Sequence, residues 1–145
     1  MKHDVYLSLG SNLGDKRGYI RAAIEKIGEQ VGEVVRQSAL YDTQPWGFQS
    51  ENAFVNAVVK VRTALAPRQV LEATQQIERD MGRREKSLVE PGGVRYADRP
   101  IDIDILLYDD WVVDEPDLRI PHLLMFQRDF VMIPLKEIVY DNDRK

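Results

Sequence analysis

The chain has 145 residues, of which 43% are apolar and 30% charged; these values are typical of one soluble globular domain and exclude a disordered or fibrous protein. Its formal net charge of −4 argues against a broad nucleic-acid-binding surface. With no cysteine and only two histidines, disulfides and thiolate or histidine-rich metal sites are excluded, so any metal must be bound through oxygen.

The sequence predicts a cytoplasmic protein without a membrane segment. No apolar run approaches the roughly 20 residues that cross a bilayer, and residues 1–4 lead directly into a strand-like segment. No linker, internal repeat or low-complexity segment divides the chain. We therefore expect a single domain over residues 1–145.

The first half of the chain is predicted to form a strand, a helix and two further strands. Residues 5–9 form a first strand, residues 10–14 are rich in turn residues, and Asp15 can cap a helix that ends near Gly32. Residues 34–43 and 53–63 are the next strands. The second of them alternates clearly, which assigns its two faces. The core face carries Ala53, Val55, Ala57, Val59 and Val61, and the more polar face carries Phe54, Asn56, Val58, Lys60 and Arg62.

The second half predicts a helix, a strand and a less regular end. The helix starts at Pro67 and ends at Gly82. Residues 86–98 contain no sustained period and are predicted to form a mobile surface loop, and residues 100–108 form a strand. A short strand over residues 111–113 and a helix over residues 130–138 follow. The element order predicts an α+β fold of the ferredoxin-like βαββαβ class, with helices packed on an antiparallel sheet and a C-terminal hairpin and helix appendage.

Two aspartates in the strand after the loop are the sharpest chemical signal. Side chains two residues apart on a strand share a face, so Asp102 and Asp104 point the same way while Ile101, Ile103 and Ile105 point into the core. Such a pair can bind Mg²⁺ together with substrate phosphates. A solvated acidic strand face is the alternative, and spacing alone does not decide between them.

A basic segment precedes these aspartates and is suited to a small polyanion. It contains Arg79, Arg83, Arg84, Lys86, Arg95 and Arg99. Arginine matches phosphate oxygens, although a solvated charge run is the alternative. The glycine-rich residues 10–14 lack a Walker lysine, which favours a structural turn over a phosphate cradle. His122 and Arg128 are weak signals by themselves.

The order and spacing of six motifs are similar to those of the 6-hydroxymethyl-7,8-dihydropterin pyrophosphokinase family. The motifs are LGSNLGD (9–15), YDTQPWG (41–47), FVNA (54–57), IERDMGR (77–83), DRPIDIDI (98–105) and IPH (120–122). The resemblance extends from residue 7 to residue 138. It implies a monomeric enzyme that transfers pyrophosphate from ATP to the pterin alcohol, with two Mg²⁺ ions, in folate biosynthesis.

The resemblance also implies roles for individual residues. Asp102 and Asp104 would bind both metal ions and, with Arg83 and Arg99, form the catalytic set. The pterin would be bound by Thr43, Pro45, Trp46, Phe54, Asn56, Tyr96 and Phe130, with the two phenylalanines stacking on its faces. ATP would be contacted by Gln75, Glu78, Arg83, Lys86, Arg99, Ile105, His122 and Arg128.

The chain departs from the family pattern at several of these positions. Glu85 stands where a second loop arginine is frequent, which leaves Arg84 or Lys86 as its replacement. Residues 95–98 replace a Trp-Gly-Pro segment, and Arg119 and Leu123 take positions often held by threonine and tyrosine. These departures concern nucleotide and loop contacts, so the expected reaction class is unchanged.

Two other functions fit the same fold class. A nucleic-acid-binding module is opposed by the acidic balance and by the absence of an RNP-like aromatic strand. A small-molecule regulatory domain would leave the paired aspartates without a role. Incubation with ATP, Mg²⁺ and the pterin alcohol distinguishes these alternatives, because only the enzyme forms AMP and a pterin diphosphate.

Overall fold

The computed structural model describes residues 2–43, 53–82, 88–90, 93–95, 100–122 and 125–143. In chain order the elements are β1 (His3–Ser11), α1 (Lys16–Gln30), β2 (Glu33–Gln37), β3 (Tyr41–Thr43), β4 (Phe54–Thr63), α2 (Pro67–Asp80), β5 (Leu88–Glu90), β6 (Gly93–Arg95), β7 (Asp102–Tyr108), β8 (Val113–Glu115), β9 (Leu118–Ile120), a 3₁₀ turn (Met125–Gln127) and α3 (Asp129–Asp143).

An antiparallel sheet in the order β2-β4-β1-β7 forms the centre of the fold, and β3 pairs with β4 further along the same edge as β2. β1 and β4 are the central strands, and β7 is an edge strand. This arrangement is the βαββαβ topology of the ferredoxin-like class, so the predicted fold class is confirmed. Two small hairpins, β5-β6 and β8-β9, are added to it.

The strand predicted over residues 34–43 is interrupted between β2 and β3. Ser38 still bonds to β4, because its N–H donates to the Val58 carbonyl at 2.9 Å. The N–H of Ala39 instead donates to the carboxylate of Glu137 on α3, at 3.0 Å from Oε2. An amide that is bound by a side chain cannot continue the ladder, so the strand divides at this point.

The main core lies between one face of the sheet and helices α1 and α2. The sheet contributes Val5, Leu7, Leu9, Val55, Ala57, Val59, Val61, Ile101, Ile103 and Ile105, and the helices contribute Ile20, Ala23, Ile27, Val70 and Ile77. The predicted core face of β4 is therefore confirmed for its four residues from Val55 onward. Ala53 lies just before β4 and is only half-buried.

Helix α3 covers part of the opposite face and forms a second core. This core contains Val58, Leu106, Met125, Val131, Leu135 and Ile138. A bulge in β7 enlarges the apolar surface there, because Leu7 pairs with Ile105 and Tyr6 with Leu107, which makes Leu106 the extra residue. The two leucines both pack toward α3. Asp102 and Asp104, nearer the start of β7 on that face, remain partly exposed.

Local side chains and close contacts explain where the first two helices begin and end. The carboxylate of Asp15 accepts the Gly18 N–H at 3.1 Å and caps α1, as predicted. A Cβ on Gly32 would lie 2.2 Å from the Arg62 carbonyl oxygen, so only glycine allows the chain after α1 to pass β4 this closely. Pro67 begins α2 and Gly82 follows its end with a φ of +99°, which matches the predicted limits.

Four local predictions are corrected by the structure. β1 continues through Gly10 and Ser11, which were predicted as turn residues. The predicted loop over residues 86–98 contains β5 and β6, whose three-residue strands are too short to produce a visible period. The short strand lies at Val113–Glu115, not at 111–113. α3 extends to Asp143, although Pro134 lies inside it.

Candidate active site

Asp102 and Asp104 occupy one face of β7, as the spacing predicts. Both are partly exposed, while Ile101 and Ile103 are buried in the main core. Each aspartate lies opposite a small residue of β1, since Asp102 pairs with Gly10 and Asp104 with Ser8. Small partners leave open space beside the two carboxyl groups. The two carboxylates therefore border a surface that a ligand can reach.

A row of aligned residues links this acidic pair to the polar face of β4. Asn56 pairs with Gly10 on β1, and Gly10 pairs with Asp102 on β7, so the three residues share one face across adjacent strands. A Cβ on Gly10 would lie 3.0 Å from Asn56 Nδ2 and 3.5 Å from Phe54 Cδ1. Gly10 thus leaves a gap between the amide and the carboxylate, which a side chain would fill.

A hydrogen bond to Thr43 orients the buried amide of Asn56. Asn56 is 3% exposed, and its Oδ1 accepts the hydroxyl hydrogen of Thr43 on β3. Because the oxygen is occupied in this way, the amide nitrogen lies on the side of Gly10. Thr43 pairs with Phe54 in the register of β3 and β4. The structure thus places three predicted pterin-binding residues, Thr43, Phe54 and Asn56, in one continuous patch.

Phe130 and Arg128 lie at the start of α3 beside the second core. Phe130 is half-buried against that core, and the guanidinium carbon of Arg128 lies 5.5 Å from the centre of the Phe130 ring. This distance is within the range of a cation–π interaction. Arg128 is itself only 8% exposed, so its position is well defined. The contact holds the guanidinium group next to the aromatic ring.

A cavity of about 340 Å³ lies along the free edge of β7, on the other side of Asp104 from β1. It is lined by Leu71, Ile103, Asp104, Ile105, Pro116, Asp117, Leu118, Arg119 and His122. The N–H of His122 donates to the Leu106 carbonyl at 3.0 Å, which fixes this residue beside the strand. Two predicted nucleotide contacts, Ile105 and His122, are thereby brought together with one of the aspartates.

Arg68 on the neighbouring helix α2 offsets the negative charge of Asp117, which lines the cavity. Arg68 on α2 donates to Asp117 Oδ2 at 2.7 Å, and this hydrogen bond lowers the pKa of the Asp117 carboxyl. Arg119 adds a further cation to the lining, and its Nε lies 3.3 Å from Asp114 Oδ1. These paired charges reduce the repulsion that acidic residues would otherwise exert on a phosphate group.

Glu78 makes a backbone contact that the sequence did not reveal. It is 3% exposed on α2, and its Oε2 accepts the Ile103 N–H at 2.7 Å. Among the described residues β7 is an edge strand of the sheet, so on its outer side this amide faces Glu78 and not another described strand. The carboxylate thus holds the backbone midway between Asp102 and Asp104. Gln75, one turn earlier on α2, is half-buried.

The glycine-rich residues 10–14 support the structural interpretation that the sequence favoured. Gly10 and Ser11 belong to β1, and Gly14 has a φ of +66°, which explains the need for glycine there. The Asp15 side chain already occupies an amide in the first turn of α1. The N-terminus of α1 is therefore capped by the protein itself.

Several predicted site residues lie outside the described part of the chain. They are Pro45, Trp46, Arg83, Lys86, Tyr96 and Arg99, together with the alternative loop cation Arg84. The described residues contain no helix that is both long and apolar enough to cross a membrane. They also contain no group of three or more histidine, aspartate or glutamate side chains arranged to hold a metal ion.

Comparison with known proteins identifies the family. Residues 6–140 match the family model described as 7,8-dihydro-6-hydroxymethylpterin-pyrophosphokinase. The chain is 51% identical over 135 residues to the 2-amino-4-hydroxy-6-hydroxymethyldihydropteridine pyrophosphokinase of Porphyromonas gingivalis, covering 92% of this chain and 89% of that protein. It is 41% identical over 134 residues to the enzyme of that name from Aquifex aeolicus, covering 92% of this chain and 79% of that protein.

Solved structures share the fold at low sequence identity. A structure described as HPPK-DHPS in complex with substrates superimposes with a TM-score of 0.73 at 15% identity, covering 96% of this chain and 40% of the other. An HPPK-DHPS structure from Plasmodium falciparum also has a TM-score of 0.73, at 15% identity, covering 95% and 39%. The chain thus spans about 40% of the length of these structures. The family match covers nearly all of the chain, and the protein belongs to the 7,8-dihydro-6-hydroxymethylpterin-pyrophosphokinase family.

Proposed function

We propose that this protein transfers a pyrophosphate group from ATP to the hydroxymethyl group of 6-hydroxymethyl-7,8-dihydropterin, as a step of folate biosynthesis. The observation that carries the proposal is the aligned row of Asn56, Gly10 and Asp102 across three strands. This row brings the amide of Asn56, which can hydrogen-bond to a heterocycle, next to the aspartate pair, which can bind a metal ion that in turn binds phosphates. Family membership supplies the reaction.

The pterin is proposed to lie over Gly10, with its polar edge toward Asn56. The amide nitrogen of Asn56 can donate to a ring acceptor, because Thr43 already occupies the amide oxygen. Phe54 from β4 and Phe130 from α3 are assigned to the two faces of the ring system, where aromatic side chains stack favourably. The remaining pterin contacts are assigned by resemblance to Pro45, Trp46 and Tyr96.

Asp102 and Asp104 fit Mg²⁺, which prefers hard oxygen ligands. They share a face and are partly exposed, and no third acidic or histidine ligand joins them within the described residues. Mg²⁺ that is bound by one or two carboxylates usually takes its other ligands from substrate phosphates and water. We assign two Mg²⁺ ions to the pair, which would supply charge stabilisation at the phosphate oxygens.

ATP is assigned to the cavity along the edge of β7. Ile105 and His122 line this cavity beside Asp104. We assign the ribose and adenine to the part near Gln75, Glu78 and Ile105. The triphosphate is assigned to the part of the cavity near His122, with Arg128, Arg83, Lys86 and Arg99 as further cations. Asp104 then lies between the nucleotide and the pterin.

In the proposed step the hydroxymethyl oxygen of the pterin forms a bond to the β-phosphorus of ATP. The bond from that phosphorus to the oxygen bridging the α- and β-phosphates breaks, and AMP leaves with the electron pair. A carboxylate oxygen of Asp102 or Asp104 accepts the hydroxyl proton. Arg83 and Arg99 offset the charge of the transferred group, and His122 stabilises the leaving AMP. Positioning and electrostatics account for most of the catalysis in this kind of transfer.

We further propose that residues 1–145 form one domain of a monomeric cytoplasmic protein that does not bind nucleic acid. Both faces of the central sheet are packed by helices of the same chain, which supports a single domain. The net charge of −4 opposes nucleic-acid binding. Sedimentation analysis at several protein concentrations tests the oligomeric state, and a concentration-dependent dimer would contradict this part of the proposal.

The reaction is tested by incubating the protein with ATP, Mg²⁺ and 6-hydroxymethyl-7,8-dihydropterin and separating the products by chromatography. We expect AMP and the pterin diphosphate in equal amounts, with neither formed when the pterin is omitted. ADP with a pterin monophosphate would contradict the assigned bond cleavage. Absence of any pterin product from folded protein would contradict the proposed function.

A further inference from the structure

Glu137 on α3 connects the helix that carries Phe130 to the strand that carries Thr43. Its Oε1 accepts the hydroxyl hydrogen of Tyr41, and its carboxylate also accepts the Ala39 N–H, at 3.0 Å from Oε2 and 3.3 Å from Oε1. Glu137 and Tyr41 are both half-buried. This carboxylate therefore joins α3 to the chain on both sides of Leu40, where β3 begins.

Glu137 and Phe130 lie on the same side of α3. The two residues are seven positions apart, which is about two turns, so they lie on the same side of α3 roughly 10 Å apart along its axis. A bond at Glu137 thus fixes both the rotation of the helix about its axis and the direction in which Phe130 points. The hydrophobic contacts of the second core do not fix rotation as strictly, because apolar packing is not directional.

Pro134 makes the first turn of α3 depend on such an anchor. A proline has no N–H, so the helical bond that would reach the carbonyl of Phe130 from four residues later is missing. The turn that carries Phe130 is therefore joined to the rest of the helix by one hydrogen bond fewer. Glu137 lies three residues after the proline, so its bonds to Ala39 and Tyr41 hold the adjoining part of the helix, and the remaining helical bonds carry this constraint to the turn of Phe130.

On the other side of the bond, Tyr41 lies in β3, the strand that carries Thr43 of the proposed pterin-binding surface. It pairs with Asn56 in the register of β3 and β4, and two residues later Thr43 bonds to the Asn56 side chain. The hydrogen bond to Glu137, burial and the negative charge of Glu137 all raise the pKa of Tyr41. Tyr41 therefore remains a protonated donor at neutral pH, and the bond persists under assay conditions.

We infer that Glu137 is a positioning residue for the pterin alcohol, which sets the placement of Phe130 relative to Asn56 through its bonds to Tyr41 and Ala39. This inference rests on the proposed function of the surface. Glu137 does not touch the substrate; it joins the two elements that bind it. Glu137 also lines a cavity of about 320 Å³ together with Arg36 and Gln37, so we expect water to take the place of a shortened side chain.

The test compares Glu137→Ala, Glu137→Gln and Tyr41→Phe with the wild-type protein. KM and kcat are measured for the pterin alcohol at saturating ATP, and KM for ATP at saturating pterin. We expect Glu137→Ala to lower kcat/KM for the pterin about tenfold, equivalent to one to two hydrogen bonds, with KM for ATP changed less than twofold. Glutamine retains an acceptor oxygen, so Glu137→Gln should recover part of the loss.

Combining the changes distinguishes positioning from general stabilisation. The double variant combines Tyr41→Phe with Glu137→Ala. If Tyr41 acts through Glu137, this variant should have the same kcat/KM for the pterin as Glu137→Ala alone. Lys136→Ala is the matched control, because Lys136 is the exposed neighbour on α3 and should leave both KM values unchanged. Thermal unfolding followed by circular dichroism establishes that each variant is folded at the assay temperature.

The inference is overturned if Glu137→Ala is folded and retains the wild-type KM and kcat for the pterin, or if it weakens ATP and pterin to the same extent. Failure of the proposed function gives a different result. In that case the wild-type protein itself forms no pterin diphosphate. Partial recovery by Glu137→Gln together with an unchanged KM for ATP supports the positioning role.

Discussion

Replacement of Gly10 by alanine tests the proposed position of the pterin most directly. Gly10 is buried between Asn56 on β4 and Asp102 on β7. The new methyl carbon would lie 3.0 Å from Asn56 Nδ2, whereas ordinary contacts begin at 3.4 Å, so the amide must retreat by the difference of 0.4 Å. Its contact with Phe54, at 3.5 Å, is acceptable without any shift.

The amide cannot retreat freely, because its oxygen is bonded to Thr43. Either that hydrogen bond lengthens or the amide nitrogen turns away from the pterin. Each outcome weakens about one hydrogen bond, which is worth roughly 0.5–1.5 kcal/mol. The methyl group also fills space assigned to the ligand. We therefore expect kcat/KM for the pterin to fall roughly tenfold in Gly10→Ala, with KM for ATP changed by less than twofold.

The assay is steady-state formation of AMP with one substrate varied and the other saturating. Gly28→Ala is the matched control, since its added Cβ on the exposed side of α1 would meet no atom within 4 Å among the described residues apart from the neighbouring backbone of its own helix. It should leave both KM values unchanged and raise stability by up to about 1 kcal/mol through helix propensity. If folded Gly10→Ala keeps a pterin KM within twofold of wild type, the pterin does not lie over Gly10 as we propose.

Three further substitutions test the metal, stacking and packing assignments. Asp104→Ala should reduce turnover by more than about 100-fold, because charge stabilisation is lost at the transferred group, while the thermal midpoint is kept; near-normal activity would refute its metal role. Phe130→Ala should raise KM for the pterin several-fold more than KM for ATP, since stacking is lost, and equal increases would contradict the stacking assignment. Gly32→Ala should lower the free energy of unfolding by about 1–3 kcal/mol in urea titrations, because its Cβ would overlap the Arg62 carbonyl; an unchanged midpoint would show that the backbone yields easily.

The sequence predicted those features that depend on local periodicity. The alternation in β4 assigned Val55 and Asn56 to opposite faces, and the structure confirms this assignment. The same rule placed Asp102 and Asp104 together on one face of β7. These predictions succeed because a strand repeats every two residues whatever its partners are.

Features that depend on distant residues were not predictable. The break between β2 and β3 arises because the amide of Ala39 bonds to Glu137, which is 98 positions further along the chain. The bond from Glu78 to the amide of Ile103 likewise joins residues 25 positions apart. Gly10 was interpreted as a turn residue because glycine is common in turns, whereas it is needed here for the close approach of Asn56. No local pattern encodes these contacts.

The bulge at Leu106 restricts the kinds of sheet onto which the strand with the aspartate pair can be grafted. Up to Ile105 the odd-numbered residues of β7 are buried in the main core, but beyond the bulge the even-numbered Tyr108 is buried there. A designer who grafts this strand onto a regular sheet would have to choose between the aspartates and the tyrosine, since an unbroken two-residue repeat cannot orient both correctly. Removing one residue at this point would force the same choice on the natural chain.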